Sequence, residues 1–239
     1  MSEYARPRHN TVLAALRSLD AGFLAKTECY FGGGTRIALA LNEYRESADV
    51  DFLCASRTGY RALRAAVTEQ SLGAIAMRGV KLAREVVADR YGIRTFLEVN
   101  GEKLKFEIVL EARITLSGGM AAGLPVPVLD DGSCFAEKFL ANADRWRDAS
   151  VLGRDVIDLA FMVVHWGDEP LKTGLNVATE AYGKVAASAA RRAATRMLEE
   201  TAWRNRCMST LAITDSRTLL RGLRALIECL KTRRGSPSY

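Results

Sequence analysis

Phe31-Gly32-Gly33-Gly34-Thr35, followed after thirteen residues by Asp49-Val50-Asp51-Phe52, is the stretch that decides the fold. The glycines form a turn that opens a helix, predicted over residues 35–42. The segment 48–54 is predicted as a strand, with Val50, Phe52 and Leu53 as its apolar anchorage. Alternate side chains on a strand share a face, so Asp49 and Asp51 point the same way, about 6–7 Å apart. Two carboxylates at that spacing repel by roughly 2 kcal/mol at an effective dielectric near 20. A cation between them removes the conflict. Beside a turn able to hold phosphate, the matching cation is Mg²⁺ and the matching ligand a nucleoside triphosphate.

Working outward, residues 23–31 are read as a first strand entering the glycine turn, preceded by a helix from Asn10 or Thr11 that carries Val12, Leu13, Leu16 and Leu19. Residues 60–70 are read as helical. Asn100-Gly101 is a strong hairpin signal between residues 92–99 and 103–115. In the second arm Leu104, Phe106, Ile108 and Leu110 occupy one face and Lys105, Glu107, Val109 and Glu111 the other. Gly118-Gly119 and Pro125-Val126-Pro127 break the alternation. Beyond Asp131 the pattern is helical, with helices expected near 134–143, 150–166, 175–206 and 215–232. The expected organisation is a catalytic domain over 1–130 and a helical domain over 131–239, with a disordered tail from Arg233.

The composition of the 239 residues, 49% hydrophobic and 26% charged, is that of a soluble globular chain. No apolar run reaches the ~18 residues of a membrane span, and the N-terminus lacks the apolar core of a secretory signal. Five scattered cysteines without a Cys-x-x-Cys pair favour a reducing cytoplasm over a zinc or disulfide framework. The net charge of +6 is uneven. Residues 178–239 hold twelve Lys or Arg against five Asp or Glu, which suits a polyanionic partner or a solvated helical surface equally.

Glycine permits close backbone approach and positive φ, and a helix N-terminus favours bound phosphate. Gly33 and Gly34 are therefore candidates to seat phosphate, with Thr35 adding a hydroxyl donor; the alternative is a plain turn. The chain has neither a P-loop nor a Gly-x-Gly-x-x-Gly fingerprint. Metal chemistry at a triphosphate usually takes a third carboxylate from a neighbouring strand. Glu107 is the best placed, ahead of Glu111 and Glu98, with cross-strand pairing to Lys or Arg as its alternative. Ser47 has either a phosphate oxygen or the turn as its partner, and Arg45 either braces an aspartate or, like Ser47, serves only the loop. Lys138, between Phe135 and Phe139, is either a phosphate-binding point charge or a solvated lysine. Asp155 and Asp158 share a helical face, where the helix dipole alone would favour them. His165 receives no role, and two histidines make no convincing nucleophilic triad.

Together these residues resemble the nucleotidyltransferase superfamily related to DNA polymerase β, and most closely the abortive-infection toxin family of the AbiEii/AbiGii type. The resemblance runs in order through Gly33-Gly34-Thr35, Arg45-Glu46-Ser47-Ala48-Asp49-Val50-Asp51-Phe52, Glu137-Lys138 and Arg154-Asp155-Val156-Ile157-Asp158-Leu159. It implies an α+β fold, a mixed sheet with flanking helices followed by an all-helical C-terminal half. It implies transfer of a nucleoside monophosphate from an NTP to an acceptor hydroxyl, with RNA, and tRNA in particular, as acceptor. Mg²⁺, or Mn²⁺ in its place, would be held by Asp49, Asp51 and Glu107. Glu107 would help activate the acceptor oxygen, and Lys138 would neutralise phosphate charge. Gly33, Gly34, Thr35, Arg36 and Ser47 would line the nucleotide, with Asp155 and Asp158 orienting Lys138 or binding base or ribose. Growth inhibition or phage defence controlled by a cognate antitoxin is the implied setting. The alternatives are a protein of the same fold that binds nucleotide or RNA without catalysis, and a transferase acting on a protein or small molecule.

Overall fold

The computed structural model describes residues 4–77 and 79–231; the tail from Arg233 lies outside them. The chain forms two compact units. One comprises the residues up to Leu39 together with Ser47–Asp130; the other comprises Ala40–Glu46 and the residues from Asp131 onward.

The first unit is built on a seven-stranded mixed sheet. Its strands are β1 (Cys29–Phe31), β2 (Val50–Cys54), β3 (Lys81–Ala88), β4 (Gly92–Val99), β5 (Glu102–Leu110), β6 (Gly118–Met120) and β7 (Pro127–Leu129). Their order is β3-β4-β5-β2-β1-β7-β6. β2 runs parallel to β5, and β1 parallel to β7, while β1 and β2 are antiparallel. Val50, Phe52 and Cys54 alternate onto one face with Leu104, Phe106 and Ile108 of β5, and all are buried. Phe52 packs between Phe31 and Phe106, with ring centroids 5.6 and 6.0 Å away. Val12 and Leu16 of α1 (Pro7–Arg17), Leu24 of α2 (Ala21–Lys26) and Leu63 of α4 (Arg57–Ala66) complete this core. The opposite face of β2 and β5 carries Asp51, Lys105 and Glu107, each left part-exposed.

The hairpin forms as its turn demands. Asn100 and Gly101 both take positive φ, 52° and 80°, and Val99 pairs with Glu102. The expected strand over 23–31 is shorter. Asp20 caps a helical turn by accepting the Phe23 N–H at 2.7 Å, so residues 21–26 are helical and only Cys29–Phe31 remain extended. β2 begins at Val50, which leaves Asp49 one residue outside the ladder. β3, at the sheet edge, has an irregular register and mixed polarity that gave no strand signal.

The second unit contains α5 (Asp131–Arg145), α6 (Arg154–Trp166), α7 (Asp168–Tyr182), α8 (Lys184–Glu199), α9 (Thr201–Thr210) and α10 (Ser216–Lys231). The single helix expected over 175–206 is interrupted at Gly183, with φ 61°, and at Glu200. An alanine seam on α8, including Ala186, Ala190 and Ala194, is buried. Gly222 of α10 lies against α6 so closely that an added Cβ would stand 2.1 Å from the Ala160 carbonyl oxygen. Among the described residues no helix is long and apolar enough to cross a membrane.

Candidate active site

The glycine turn leads from β1 directly into α3 (Gly33–Ala40). Gly32 N–H donates to the Asp51 carbonyl at 2.9 Å, so the turn is a continuation of the β1–β2 ladder. Gly33 has φ 67°, a left-handed conformation in which a Cβ is strained. That missing Cβ would lie 3.0 Å from Asp51 Oδ2 and 3.2 Å from Asp51 Cβ. The glycine thus lets the start of a helix rest on a carboxylate side chain. The first N–H groups of a helix have no intrahelical acceptor, so hydrogen-bond donors for an anion stand next to an oxygen ligand for a cation.

Asp51 is the register partner of Glu107 across the parallel β2–β5 pair. Glu107 is also the partner of Arg94 across the β4–β5 hairpin. Arg94 Nε donates to Glu107 Oε1 at 2.7 Å, and Lys105 Nζ donates to Oε2 at 2.5 Å. Lys105 Nζ stands 3.9 Å from Asp51 Oδ1. Burial works against the Lys105 charge. The hydrogen bond to Glu107 and the fields of Asp51, Glu107 and Asp49 outweigh it, holding the pKa above the usual lysine value. Burial likewise opposes ionisation of Glu107, and the bonds from Lys105 and Arg94 outweigh it, holding that carboxyl below its usual range. The sheet therefore already contains a cation, the Lys105 ammonium, set among acidic groups.

Among the described residues no three His, Cys, Asp or Glu side chains are grouped as a metal cluster. Mg²⁺ does not require one, since it is commonly held by one or two carboxylates with substrate phosphates and waters completing the shell. The donor set of Asp51, one-third exposed, and Asp49 just ahead of the strand fits that mode. Both Glu107 oxygens are taken by cationic side chains.

Thr35 Oγ1 and Ser47 Oγ are hydrogen-bonded to each other at 2.8 Å. Ser47 N–H donates to His9 Nε2 at 3.3 Å. Arg36 is buried on α3, and its Nη2 donates to the Leu129 carbonyl at the end of β7 at 3.4 Å. Gly34 lies in the first turn of the same helix.

The second unit holds a buried charge cluster. Arg45 grips Asp158 with two bonds, Nε to Oδ1 at 2.7 Å and Nη2 to Oδ2 at 3.0 Å. The Tyr44 hydroxyl donates to Asp158 Oδ1 at 2.5 Å, and its ring stacks on Phe161 at 4.0 Å between centroids. Lys138 Nζ reaches Asp158 Oδ2 at 2.7 Å and Asp155 Oδ1 at 3.0 Å. Arg145 closes the set with two bonds to Asp155, at 2.7 and 3.0 Å. Burial opposes the charge of both aspartates, yet Arg45 and Lys138 hold the Asp158 carboxyl, and Lys138 and Arg145 the Asp155 carboxyl, below the usual range. Lys138 is held above its usual value by the same aspartates, against its burial. Arg45, Lys138 and Arg145 thus surround Asp155 and Asp158, and Asp144 adds its field at Arg145.

The residues read from the sequence thus fall into three sets. Gly33, Asp51 and Glu107 are together. Thr35 is with Ser47. Arg45, Lys138, Asp155 and Asp158 are together. Asp49, Asp51 and Glu107 belong to the first unit, and Lys138, Asp155 and Asp158 to the second. Arg94 was missed, although the hairpin register centred on Asn100-Gly101 places it opposite Glu107. Tyr44, Arg145 and His9 carry no local signal and come to their partners only through the tertiary fold.

The family model described as "Nucleotidyl transferase AbiEii toxin, Type IV TA system" matches residues 15–220. The chain belongs to the AbiEii family. No curated protein matches it. The matched span includes the glycine turn, both strands bearing Asp51 and Glu107, and the helices bearing Lys138, Asp155 and Asp158. The AbiEii members are nucleotidyl transferase toxins of type IV toxin–antitoxin systems.

Proposed function

We propose that this AbiEii protein is a Mg²⁺-dependent nucleotidyltransferase, with Mn²⁺ as a substitute, that moves an NMP from an NTP onto a hydroxyl of RNA, with tRNA as the acceptor class. The observation that carries this reading is the close approach of Gly33 to the Asp51 side chain, where a Cβ on Gly33 would stand 3.0 Å from Oδ2. It joins phosphate-binding donors to a metal-binding carboxylate. Asp49 and Asp51 would hold the metal, which when bound would neutralise phosphate charge as a Lewis acid. The N-terminal turn of α3 receives the triphosphate through backbone N–H groups. Thr35 and Ser47 hold that turn against the segment carrying Asp49, and Arg36 fastens α3 to the end of β7. Lys138, its ammonium oriented by Asp155 and Asp158, is assigned to neutralise phosphate charge.

In the reaction the acceptor oxygen forms a bond to the α-phosphorus as the α–β bridging bond breaks. Pyrophosphate leaves with the bridging oxygen. The acceptor proton is drawn toward Glu107, which Lys105 and Arg94 keep ionised. Catalysis is then mainly positioning and charge neutralisation. The exposed side chains Arg217, Arg221 and Arg224 recur on one face of α10 at helical spacing, opposite the buried Leu219 and Leu223. A stripe of this kind attracts RNA phosphates, and binding through it weakens steeply with salt. A cytoplasmic toxin held in check by a cognate antitoxin, in phage defence, is the setting that agrees with the family.

A second reading, a nucleotide- or RNA-binding protein without catalysis, is favoured by the engagement of both Glu107 oxygens. Calorimetric titration of NTP with Mg²⁺, run beside labelled-nucleotide transfer to total RNA, separates the two. Label in an RNA fraction supports transfer to RNA. Label only in protein or small-molecule fractions moves the acceptor elsewhere. Binding with no transfer to any acceptor establishes the second reading.

A further inference from the structure

The five cysteines are not equivalent. Cys29 and Cys54 are register partners at one end of the antiparallel β1–β2 pair. The flanking hydrogen bonds define what kind of partners they are. Ala55 N–H donates to the Glu28 carbonyl at 2.9 Å, and Gly32 N–H to the Asp51 carbonyl at 2.9 Å. Hydrogen-bonded positions alternate along an antiparallel ladder, so 28/55, 30/53 and 32/51 are bonded pairs. Cys29/Cys54 and Phe31/Phe52 are the non-bonded pairs. Such pairs have the closer Cα atoms, about 4.5 Å apart, with side chains nearest each other. That separation lies within the range a disulfide spans, about 4.4–6.8 Å.

Both side chains are fully buried, and the Cys54 Sγ–H donates to the Thr27 and Ser56 carbonyls, each at 3.3 Å. Burial pushes the Cys29 thiol up, while the neighbouring Cys29 thiol holds the Cys54 thiol below its usual value. Cys54 is thus the sulfur that ionises first. Cys134 lies buried on α5 and Cys207 on α9, and Cys229 is part-exposed near Asp168. Cys29 is the first residue of β1 and Cys54 the last of β2. Both lie inside the sheet, so a small oxidant reaches them through local opening of this strand end.

We propose that Cys29 and Cys54 form a reversible cross-strand disulfide when a hydroperoxide is present, covalently closing the segment that contains the glycine turn, Asp49 and Asp51. The Cys54 thiolate attacks a peroxide oxygen, the O–O bond breaks, and hydroxide or alkoxide leaves, giving a sulfenic acid. The Cys29 sulfur, losing its proton to solvent base, then attacks the Cys54 sulfur and expels hydroxide. Two thiols supply the two electrons that reduce the peroxide. A dithiol reductant reverses the bond by exchange.

The test is graded hydrogen peroxide on the folded full-length chain, followed by denaturing alkylation, trypsin and mass mapping. The expected result is a cross-link between residues 27–36 and 46–57, with the mass of two hydrogens lost. Dithiothreitol should abolish it, and Cys134 and Cys207 should remain alkylated. A Cys54→Ser chain should leave Cys29 alkylated at peroxide levels that fully oxidise the wild-type pair. Recovery of both cysteines alkylated when Cys229 is fully oxidised would overturn the proposal. So would a cross-link that forms only after the chain has been unfolded in denaturant.

Discussion

Asp51 on β2 and Glu107 on β5 are partners across a parallel ladder, and a single ammonium, that of Lys105, reaches both. The two carboxylates differ in what surrounds them. Glu107 is bonded to two cationic side chains and is the more buried. Asp51 lies a longer 3.9 Å from Lys105 and is more exposed. The Gly33 backbone lies against its side chain, and this makes Asp51 rather than Glu107 the carboxylate best placed for an incoming cation.

Replacing Asp51 with Ala is expected to reduce nucleotide transfer about 100-fold or more, the scale of losing several kcal/mol of transition-state charge stabilisation. Asp49→Ala is expected to behave similarly. Neither residue is part of the buried core, so the melting temperature should move by only a few degrees. Full transfer activity in either variant would remove the metal assignment.

Gly33→Ala tests the contact between turn and carboxylate. A left-handed non-glycine residue costs roughly 1–2 kcal/mol, and the new methyl would meet Asp51 Oδ2 at 3.0 Å. The variant is expected to lose about that much stability in urea denaturation. It should also require more Mg²⁺ for half-maximal transfer. A Mg²⁺ requirement equal to that of the wild type would show that Gly33 does not set the position of Asp51.

Much of this site was legible because its signals are local. Three consecutive glycines, two aspartates in alternation and an Asn-Gly turn each depend on the backbone of a few residues. The hairpin register also holds the partner of Glu107, although Arg94 was not picked out from it. The buried cluster was legible only in part. Lys138, Asp155 and Asp158 stood out by helical spacing, but Tyr44 and Arg145 meet the aspartates through packing that no short-range pattern encodes. The strand expected over residues 23–31 failed where the Asp20 cap outweighed the apolar run. β3 was missed because an irregular edge strand has little alternation to show.

Asp158 is fully buried and bonded by Tyr44, Arg45 and Lys138. Removing one partner of a buried ion pair costs about 3–5 kcal/mol, because the remaining charge stays desolvated. Asp158→Ala is expected to lose stability on that scale in chemical denaturation. Lys138→Met should lose less, since Arg45 and Arg145 still hold the two aspartates, while NTP use is impaired. Unchanged NTP kinetics in a folded Lys138→Met chain would leave this lysine a purely structural role.

The cluster also predicts an acid-sensitive fold. Asp155 and Asp158 are held below the ordinary aspartate value of about 3.9 by their cationic partners. A carboxyl with a depressed folded-state pKa stabilises the fold fully above its unfolded value, and that contribution fades as pH falls toward the folded one. The affected window therefore opens near pH 4 and extends downward. The cationic partners stay charged across it, so the aspartates set the slope. Asp155→Asn should be less stable than the wild type at neutral pH, and the gap between them should narrow steadily below about pH 4. Urea midpoints measured at neutral pH and at several points down the acid limb provide the check. A gap that stays constant throughout would mean that Asp155 contributes by packing and hydrogen bonding alone, without the ionisation that the Lys138 and Arg145 contacts imply.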